Sequence, residues 1–150
     1  MIHVLKPEDP LPQVQLQVVG CFVDFGDNII MLQKAKDPYY WGVPGGKAQD
    51  GEDILCAMIR ELLEETGIIA TAEELKKLHS VFVDTQFYNP AFVYHMFRLV
   101  LHSVPHIVLS KEHQAFLLTK PSYALSYNLM PDEDSCIKLV FGTKMPKFFF

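Results

Sequence analysis

Three glutamates have a spacing that could support metal chemistry. Glu61, Glu64 and Glu65 stand at positions i, i+3 and i+4 within the segment RELLEETG. On a helix these positions share one face, so their carboxylates lie close together and repel. Carboxylates at the margin of an apolar stripe are costly unless a cation neutralises them. The missing charge is most simply a divalent metal ion with oxygen ligands, whereas the plain alternative is a solvated acidic face.

The surrounding residues predict the helix that such a site needs. Apolar residues recur at helical rather than strand spacing over residues 54–63, and Gly67 supplies a left-handed stop. Glu61 and Glu65 fall near the direction of Met58, on the side that a sheet would cover. We expect Arg60 to point away from the three glutamates, which leaves their charge to a metal ion.

The helix lies within a longer motif, G-x5-E-x7-R-E-U-x-E-E-x-G-U, in which U is a bulky aliphatic residue. Every fixed position is matched, namely by Gly46, Glu52, Arg60, Glu61, Leu62, Glu64, Glu65, Gly67 and Ile68. By this motif the chain resembles the Nudix hydrolase superfamily, and the run WGVPGGK before it is similar to the MutT-like branch. The resemblance implies an α/β fold, a Nudix-type α/β/α sandwich around a mixed β-sheet, with residues 1–150 forming a single domain.

The same resemblance implies an activity and its residues. A Nudix hydrolase cleaves the pyrophosphate link of a nucleoside diphosphate joined to another moiety, with Mg²⁺, or Mn²⁺ as a substitute. The implied catalytic and metal-binding groups are the Gly46 carbonyl and the carboxylates of Glu61, Glu64, Glu65 and Glu112. Glu61 is the first choice of general base and Glu112 the second, although a lone acid in a loop is ordinarily a surface residue. Structural roles are implied for Gly46, Glu52, Arg60 and Gly67, with Glu52 and Arg60 as an ion pair.

The substrate is less constrained by the sequence. The resemblance favours a nucleoside triphosphate, canonical or oxidised, that yields a monophosphate and pyrophosphate. ADP-ribose or a nucleotide sugar, a dinucleoside polyphosphate, and a nucleotide-sensing module without turnover remain as alternatives. The candidate substrate-binding residues are Lys34, Lys47, Tyr88, Asp132, Glu133 and Asp134. The last three could accept hydrogen bonds from a guanine edge, or could simply be acids at the start of a helix, where its dipole favours them.

Composition limits the partners and the compartment. The net charge of −5 and the absence of a basic stripe argue against a nucleic acid polymer, but a small nucleotide is compatible if metal supplies local positive charge. Three widely spaced cysteines without a CxxC pair argue against disulfides and structural zinc, and favour a cytoplasmic location. No uncharged apolar stretch reaches ~18 residues, so no membrane span is expected. A monomer and a homodimer remain equally open, and the six histidines are expected in core or surface roles.

The remaining elements follow from local patterns. Strands are predicted over residues 13–25, 29–34, 78–86 and 91–102. For residues 107–119 the resemblance to MutT-like proteins implies a glutamate, Glu112, followed by a final strand. One or two helical turns are predicted over residues 72–77, and short helices over residues 121–129 and 131–141. An extended arm is predicted over residues 6–12 and a loop over residues 37–47. Trp41 is expected to be a packing anchor, and Phe148–Phe150 to dock on the domain or a partner subunit.

Overall fold

The computed structural model describes residues 2–10, 16–84 and 90–142. Its elements are β1 (Ile2–Leu5), β2 (Gln17–Phe25), β3 (Asn28–Lys34), β4 (Trp41–Gly42), β5 (Gly45–Lys47), α1 (Ile54–Thr66), β6 (Lys76–Val83), β7 (Phe92–Leu101), β8 (His113–Thr119), α2 (Pro121–Ala124) and α3 (Glu133–Phe141). Tyr88 and Phe148–Phe150, for which roles were predicted, lie outside the described residues. Within the described ranges no helix is both long enough and apolar enough to cross a membrane.

The strands form one mixed sheet, as predicted. Its order is β1–β6–β7–β2–β3–β4, with β5 paired to β2 and β8 paired to β3. The central pair β2–β7 is parallel and the other pairings are antiparallel. The β3–β8 pairing matters most for function, because it brings residues near position 34 beside residues near position 113.

Alternate residues of the sheet build two cores on its two faces. Val19 and Cys21 of β2 pack under α1 against Met58 and related side chains. Phe22, on the opposite face of β2, packs with Ile137 of α3. The period of two along the strand therefore separates the helices onto opposite faces. This arrangement confirms the predicted α/β/α sandwich.

Two local predictions are wrong. Residues 72–77 do not form helical turns: Thr71 and Glu74 bond reciprocally to each other's backbone N–H groups and close a turn, after which Lys76 and Lys77 pair with β7. Sheet pairing thus overrides the helix propensity of the AEELKK segment. The strand β1 was not predicted, and the predicted arm after it starts as a turn, with the Asp9 N–H donating to the Lys6 carbonyl at 3.0 Å.

Other boundaries shift by a few residues. The loop over residues 37–47 contains the short strands β4 and β5, and α2 is shorter than the predicted helix over residues 121–129. The Trp41 ring is partly buried with its centroid 5.9 Å from that of Tyr127, which agrees with a packing role. All three cysteines are free thiols, as expected.

Candidate active site

Caps at both ends fix the helix α1 that carries the three glutamates. The Asp53 side chain accepts a hydrogen bond from the backbone N–H of Cys56 at 3.2 Å, which satisfies a free donor at the start of the helix. At the other end Gly67 adopts φ 77°, and its N–H donates to the Leu63 carbonyl at 3.0 Å. A side chain would be strained in this left-handed conformation, so glycine suits the position.

Arg60 ties the preceding loop to this helix. Its Nε and Nη2 atoms each donate to one carboxylate oxygen of Glu52, both at 2.9 Å, and Nη2 also donates to the Lys47 carbonyl at 3.2 Å. These hydrogen bonds lower the pKa of Glu52 to about 2. The expectation that Arg60 points away from the glutamates is wrong, because Nη1 lies 3.0 Å from Glu61 Oε1 and 3.2 Å from Glu64 Oε2. A long guanidinium side chain can reach acids on both sides of its own position.

Glu61 and Glu65 lie beneath the sheet, as the helical period predicted. Glu61 is 9% exposed and Glu65 is 3% exposed. The backbone N–H of Gly45 donates to Glu65 Oε1 at 2.9 Å, and the Glu61 carboxylate lies so close to Gly46 that a Cβ there would approach it to 2.5–2.7 Å. Burial, with the neighbouring carboxylates adding to it, raises the pKa of Glu65 to about 8 and also raises the pKa of Glu61.

Glu112 and His113 reach the same place from the start of β8. One ligand atom from each of Glu65, Glu112 and His113 lies within 4.8 Å of the other two. His113 is buried, its Nδ1 lies 3.2 Å from Glu65 Oε2 without hydrogen-bond geometry, and burial lowers the pKa of its ring. His113 was placed in a core or surface role by sequence reasoning. The one available signal was its position next to Glu112.

Glu64 stands apart from this cluster. Its side chain is 55% exposed and lies against Arg60. Its charge nevertheless acts on Glu61, as does that of Glu112, because both raise the pKa of the Glu61 carboxyl. The four predicted glutamates are therefore close enough to interact electrostatically. Only Glu65 and Glu112 belong to the compact cluster with His113.

The donor set fits a hard divalent cation. Burial raises the pKa values of these carboxylates by disfavouring their ionised form, and a nearby cation would stabilise that form. Glu65 and Glu112 offer carboxylate oxygens, which suit Mg²⁺ and Mn²⁺, and the imidazole of His113 is acceptable to Mn²⁺ in particular. The missing side chain at Gly46 keeps space for the Glu61 carboxylate beside the cluster.

An apolar cavity of about 360 Å³ opens beside the cluster. Glu65 and His113 line it, as do four of the predicted substrate-binding residues, Lys34, Lys47, Asp132 and Glu133. Most of the remaining wall is aliphatic or aromatic, which suits a flat organic group. Asp134 does not line this cavity: its side chain is 53% exposed and lies 4.0 Å from Lys138, one turn further along α3.

Glu133 is a second buried acid on the wall of this cavity, in addition to Glu65. It is 8% exposed and accepts a hydrogen bond from the backbone of Val43. Burial raises its pKa to about 7, and its Oε1 atom has no hydrogen-bond partner within the part of the chain that the structure describes. Glu133 can thus be either a donor or an acceptor near neutral pH.

A family model described as the NUDIX domain matches residues 14–138, which is most of the chain. The chain belongs to the Nudix family. The intact motif, the fold and the buried glutamates of α1 are consistent with this membership, and other Nudix proteins provide the natural comparison.

Three relatives illustrate the comparison. This Nudix chain is 28% identical to the CTP pyrophosphohydrolase of Escherichia coli over 119 residues, covering 77% of this chain and 84% of that protein. It is 38% identical to the Nudix hydrolase YvcI of Bacillus subtilis over 60 residues, which span 40% of this chain and only 37% of YvcI. The crystal structure of the mutator MutT protein of Bacillus halodurans is similar with a TM-score of 0.68 at 25% identity, covering 87% of this chain and 84% of that one.

We predict that Gly46→Ala displaces Glu61. The added Cβ would meet the Glu61 carboxylate at 2.5–2.7 Å, so the carboxylate must move. A displacement of about 1 Å at a reacting group lowers kcat on the order of 100-fold. Gly26→Ala is the control: Gly26 has φ 60° with open space around it, so the change costs about 1 kcal/mol of stability and leaves turnover intact. Full activity in Gly46→Ala would contradict the placement of Glu61.

We predict that Mg²⁺ stabilises the protein more at pH 8 than at pH 6. The pKa of Glu65 is 4.5 ordinarily and about 8 in the fold, so between these values the folded protein keeps a proton that the unfolded chain has lost. Without metal, stability therefore falls as pH rises through this range, and a cation that binds the ionised carboxylate reverses the loss.

The measurement is Tm with Mg²⁺ against Tm with EDTA. The Mg²⁺-dependent rise should be on the order of 5 °C at pH 8 and about half of that at pH 6. Glu112→Gln should reduce the rise, whereas Glu8→Gln, at an exposed position in the N-terminal segment, should not. An equal rise at the two pH values would count against metal binding at Glu65.

Proposed function

We propose that this chain, as a single Nudix domain, hydrolyses the pyrophosphate link of a nucleoside triphosphate, with Mg²⁺ or Mn²⁺, to a monophosphate and pyrophosphate. The observation that carries the proposal is an adjacency. We call Glu65, Glu112 and His113 together the acidic cluster. Glu65 and His113 line the apolar cavity, and a ligand atom of Glu112 lies within 4.8 Å of a ligand atom of each. A nucleoside held in the cavity would therefore present its phosphates to the cluster.

The side chains can be given separate tasks. Glu65 and Glu112 would hold the cation, with the Gly45 N–H fixing the orientation of the Glu65 carboxylate at 2.9 Å. When bound, the cation neutralises charge on the phosphate oxygens. Glu61 would accept the proton of the attacking water, because a carboxyl whose pKa is raised by burial accepts protons more readily at neutral pH. Glu112 is the second choice for this task.

Arg60 and Glu64 would act around this centre. Arg60 donates to one oxygen of Glu61, Oε1, at 3.0 Å, which fixes the carboxylate while leaving Oε2 available. Glu64, mostly exposed, would add negative charge at the outer side of the site, where its carboxylate would hold a further cation. Similarity to a CTP pyrophosphohydrolase over 77% of this chain supports a triphosphate over ADP-ribose or a dinucleoside polyphosphate.

We predict release of monophosphate and pyrophosphate from at least one triphosphate when the protein is incubated with Mg²⁺ and a nucleotide panel. The panel contains canonical and oxidised nucleoside triphosphates, ADP-ribose and a diadenosine polyphosphate, with products resolved by chromatography. EDTA and the Glu65→Gln variant should each abolish turnover. Turnover of ADP-ribose or the dinucleotide alone would replace the substrate, and binding of nucleotides without any turnover would favour a sensing module.

Glu133 is the proposed contact to the base. Its unpartnered Oε1 is buried in the wall of the apolar cavity lined by Glu65, His113 and Glu133, which we call the nucleoside cavity. A buried polar atom without a partner favours a ligand that supplies one. When ionised, Glu133 accepts from adjacent donors such as N1–H and the 2-amino group of guanine. When protonated, it donates one hydrogen bond and accepts another, so pH and base identity are coupled at this residue.

We predict that Glu133→Gln changes the relative kcat/KM between triphosphates of different bases by about tenfold or more, because an amide donates where an ionised acid accepts. Stability gives a second readout. The pKa of Glu133 is raised from 4.5 to about 7, so Glu133 contributes a fall in stability on the order of 3 kcal/mol between these pH values, and the variant should lose this contribution while keeping that of Glu65. Asp134→Asn is the control on the exposed side of α3. Unchanged base preference in Glu133→Gln would remove Glu133 from the base contact.

A further inference from the structure

A second cavity of about 410 Å³ adjoins the acidic cluster at Glu112. It is lined by Lys34, Lys36, Lys111 and Glu112, which we call the lysine cavity. Lys34 also lines the nucleoside cavity, so the two cavities adjoin at this residue. Three ammonium groups thus share one cavity in a chain whose net charge is −5.

The backbone holds these lysines in place. Lys34 ends β3 and pairs with His113 at the start of β8, next to a bulge between residues 33 and 34. Just beyond, the Ala35 N–H donates to the Glu112 carbonyl at 2.9 Å. The segment carrying Lys34 and Lys36 therefore lies directly beside the segment carrying Lys111. The β3–β8 pairing therefore brings together the three lysines, of which Lys36 and Lys111 are exposed.

The lysines of this cavity differ from Lys77 and Lys138, whose ammonium groups have side-chain partners. Lys77 Nζ donates to Ser80 Oγ at 2.6 Å, and Lys138 Nζ lies 4.0 Å from Asp134. Within residues 2–10, 16–84 and 90–142, none of the three lysines of the cavity has an ion pair, and Glu112 is the only acid on its wall. Like charges gathered without partners repel each other, and a polyanion would relieve that repulsion.

The order of the three regions suggests the orientation of a substrate. The nucleoside cavity is mostly apolar, the cluster of Glu65, Glu112 and His113 lies at its border, and the lysine cavity begins at Glu112. A substrate with its nucleoside in the first cavity and its reacting phosphorus at the cluster extends its remaining phosphates toward the lysines. Hydrolysis there joins a water oxygen to the phosphorus of the nucleoside monophosphate, passes one water proton to the general base, and breaks the bond to the bridging oxygen, which leaves with pyrophosphate.

We propose that the lysine cavity binds the distal phosphates, so that Lys36 and Lys111 select an anionic polyphosphate over a neutral sugar as the group that leaves. This inference rests on the proposed function for its place in the reaction. Ammonium groups bind phosphate as point charges and tolerate different phosphate orientations, which suits a flexible chain of phosphates. Lys34, which lines both cavities, would contact the phosphates at the border.

The test removes Lys36 and Lys111 together and measures binding of inorganic tripolyphosphate to the full chain by calorimetry in the presence of Mg²⁺. Lys36→Gln/Lys111→Gln should raise the Kd by about tenfold or more, and the difference should shrink as NaCl rises from about 50 mM to about 500 mM, because salt screens exposed charges. The matched control is Lys6→Gln/Lys76→Gln, which removes the same charge at exposed positions that line neither cavity, and should stay within about twofold of wild type. Lys36→Arg/Lys111→Arg should retain binding.

Kinetics distinguish selection from general electrostatics. In the Gln double variant the KM for a hydrolysed triphosphate should rise by about tenfold with kcat little changed, while the KM for ADP-ribose, if it is turned over, should shift less than about twofold. An unchanged Kd for tripolyphosphate in this variant, or no binding by the wild type, would overturn the lysine cavity as a phosphate site. A wild type that binds tripolyphosphate through these lysines but hydrolyses no nucleotide would instead overturn the proposed function and leave the phosphate site standing.

Discussion

The burial of two carboxylates beneath a sheet is the constraint on which the rest of the site depends. Removing an ionised carboxylate from water is unfavourable unless hydrogen bonds or opposite charge replace the lost solvation. Here Glu65 receives a backbone N–H from Gly45, and Glu61 receives one arm of Arg60. These contacts offset the cost only in part, because the pKa values of both acids remain raised. The residual deficit of positive charge is what makes the site receptive to a cation.

The neighbouring elements can be understood from this deficit. Gly46 has no side chain because the Glu61 carboxylate occupies the space where a Cβ would lie. Arg60 serves both sides of the motif, since the same guanidinium that holds Glu52 in the loop also reaches Glu61 on the helix. A few charged contacts therefore hold the loop, the helix and the sheet in one geometry. Removing one of these contacts would leave a buried charge with neither a partner nor solvent to stabilise it.

Sequence reasoning reached the parts of this arrangement that depend on local periodicity. The helix α1, the burial of Glu61 and Glu65, and the layered α/β/α architecture follow from spacing and from the motif. The missed features depend on contacts between distant parts of the chain. The strand β1 forms by pairing with β6, which lies far along the chain: Ile2 pairs with Val83, and Leu5 pairs with Ser80. His113, Lys36 and Lys111 enter the site through the β3–β8 pairing, which no local pattern indicates. The direction of Arg60 is a choice of side-chain rotamer, which spacing does not determine.

The groups that cost the fold stability are also the groups with capacity to bind. Glu65 and Glu133 both have pKa values raised by burial, and the three lysines of the second cavity lie together without an ion pair among the residues that the structure describes. Each of these groups would be better satisfied in water or beside an opposite charge. On the proposed function, a nucleotide with its cation would supply the missing partners together: positive charge for Glu65, a hydrogen-bonding edge for Glu133 and negative charge for the lysines. Binding of such a ligand would then draw its free energy from interactions that the fold alone leaves incomplete.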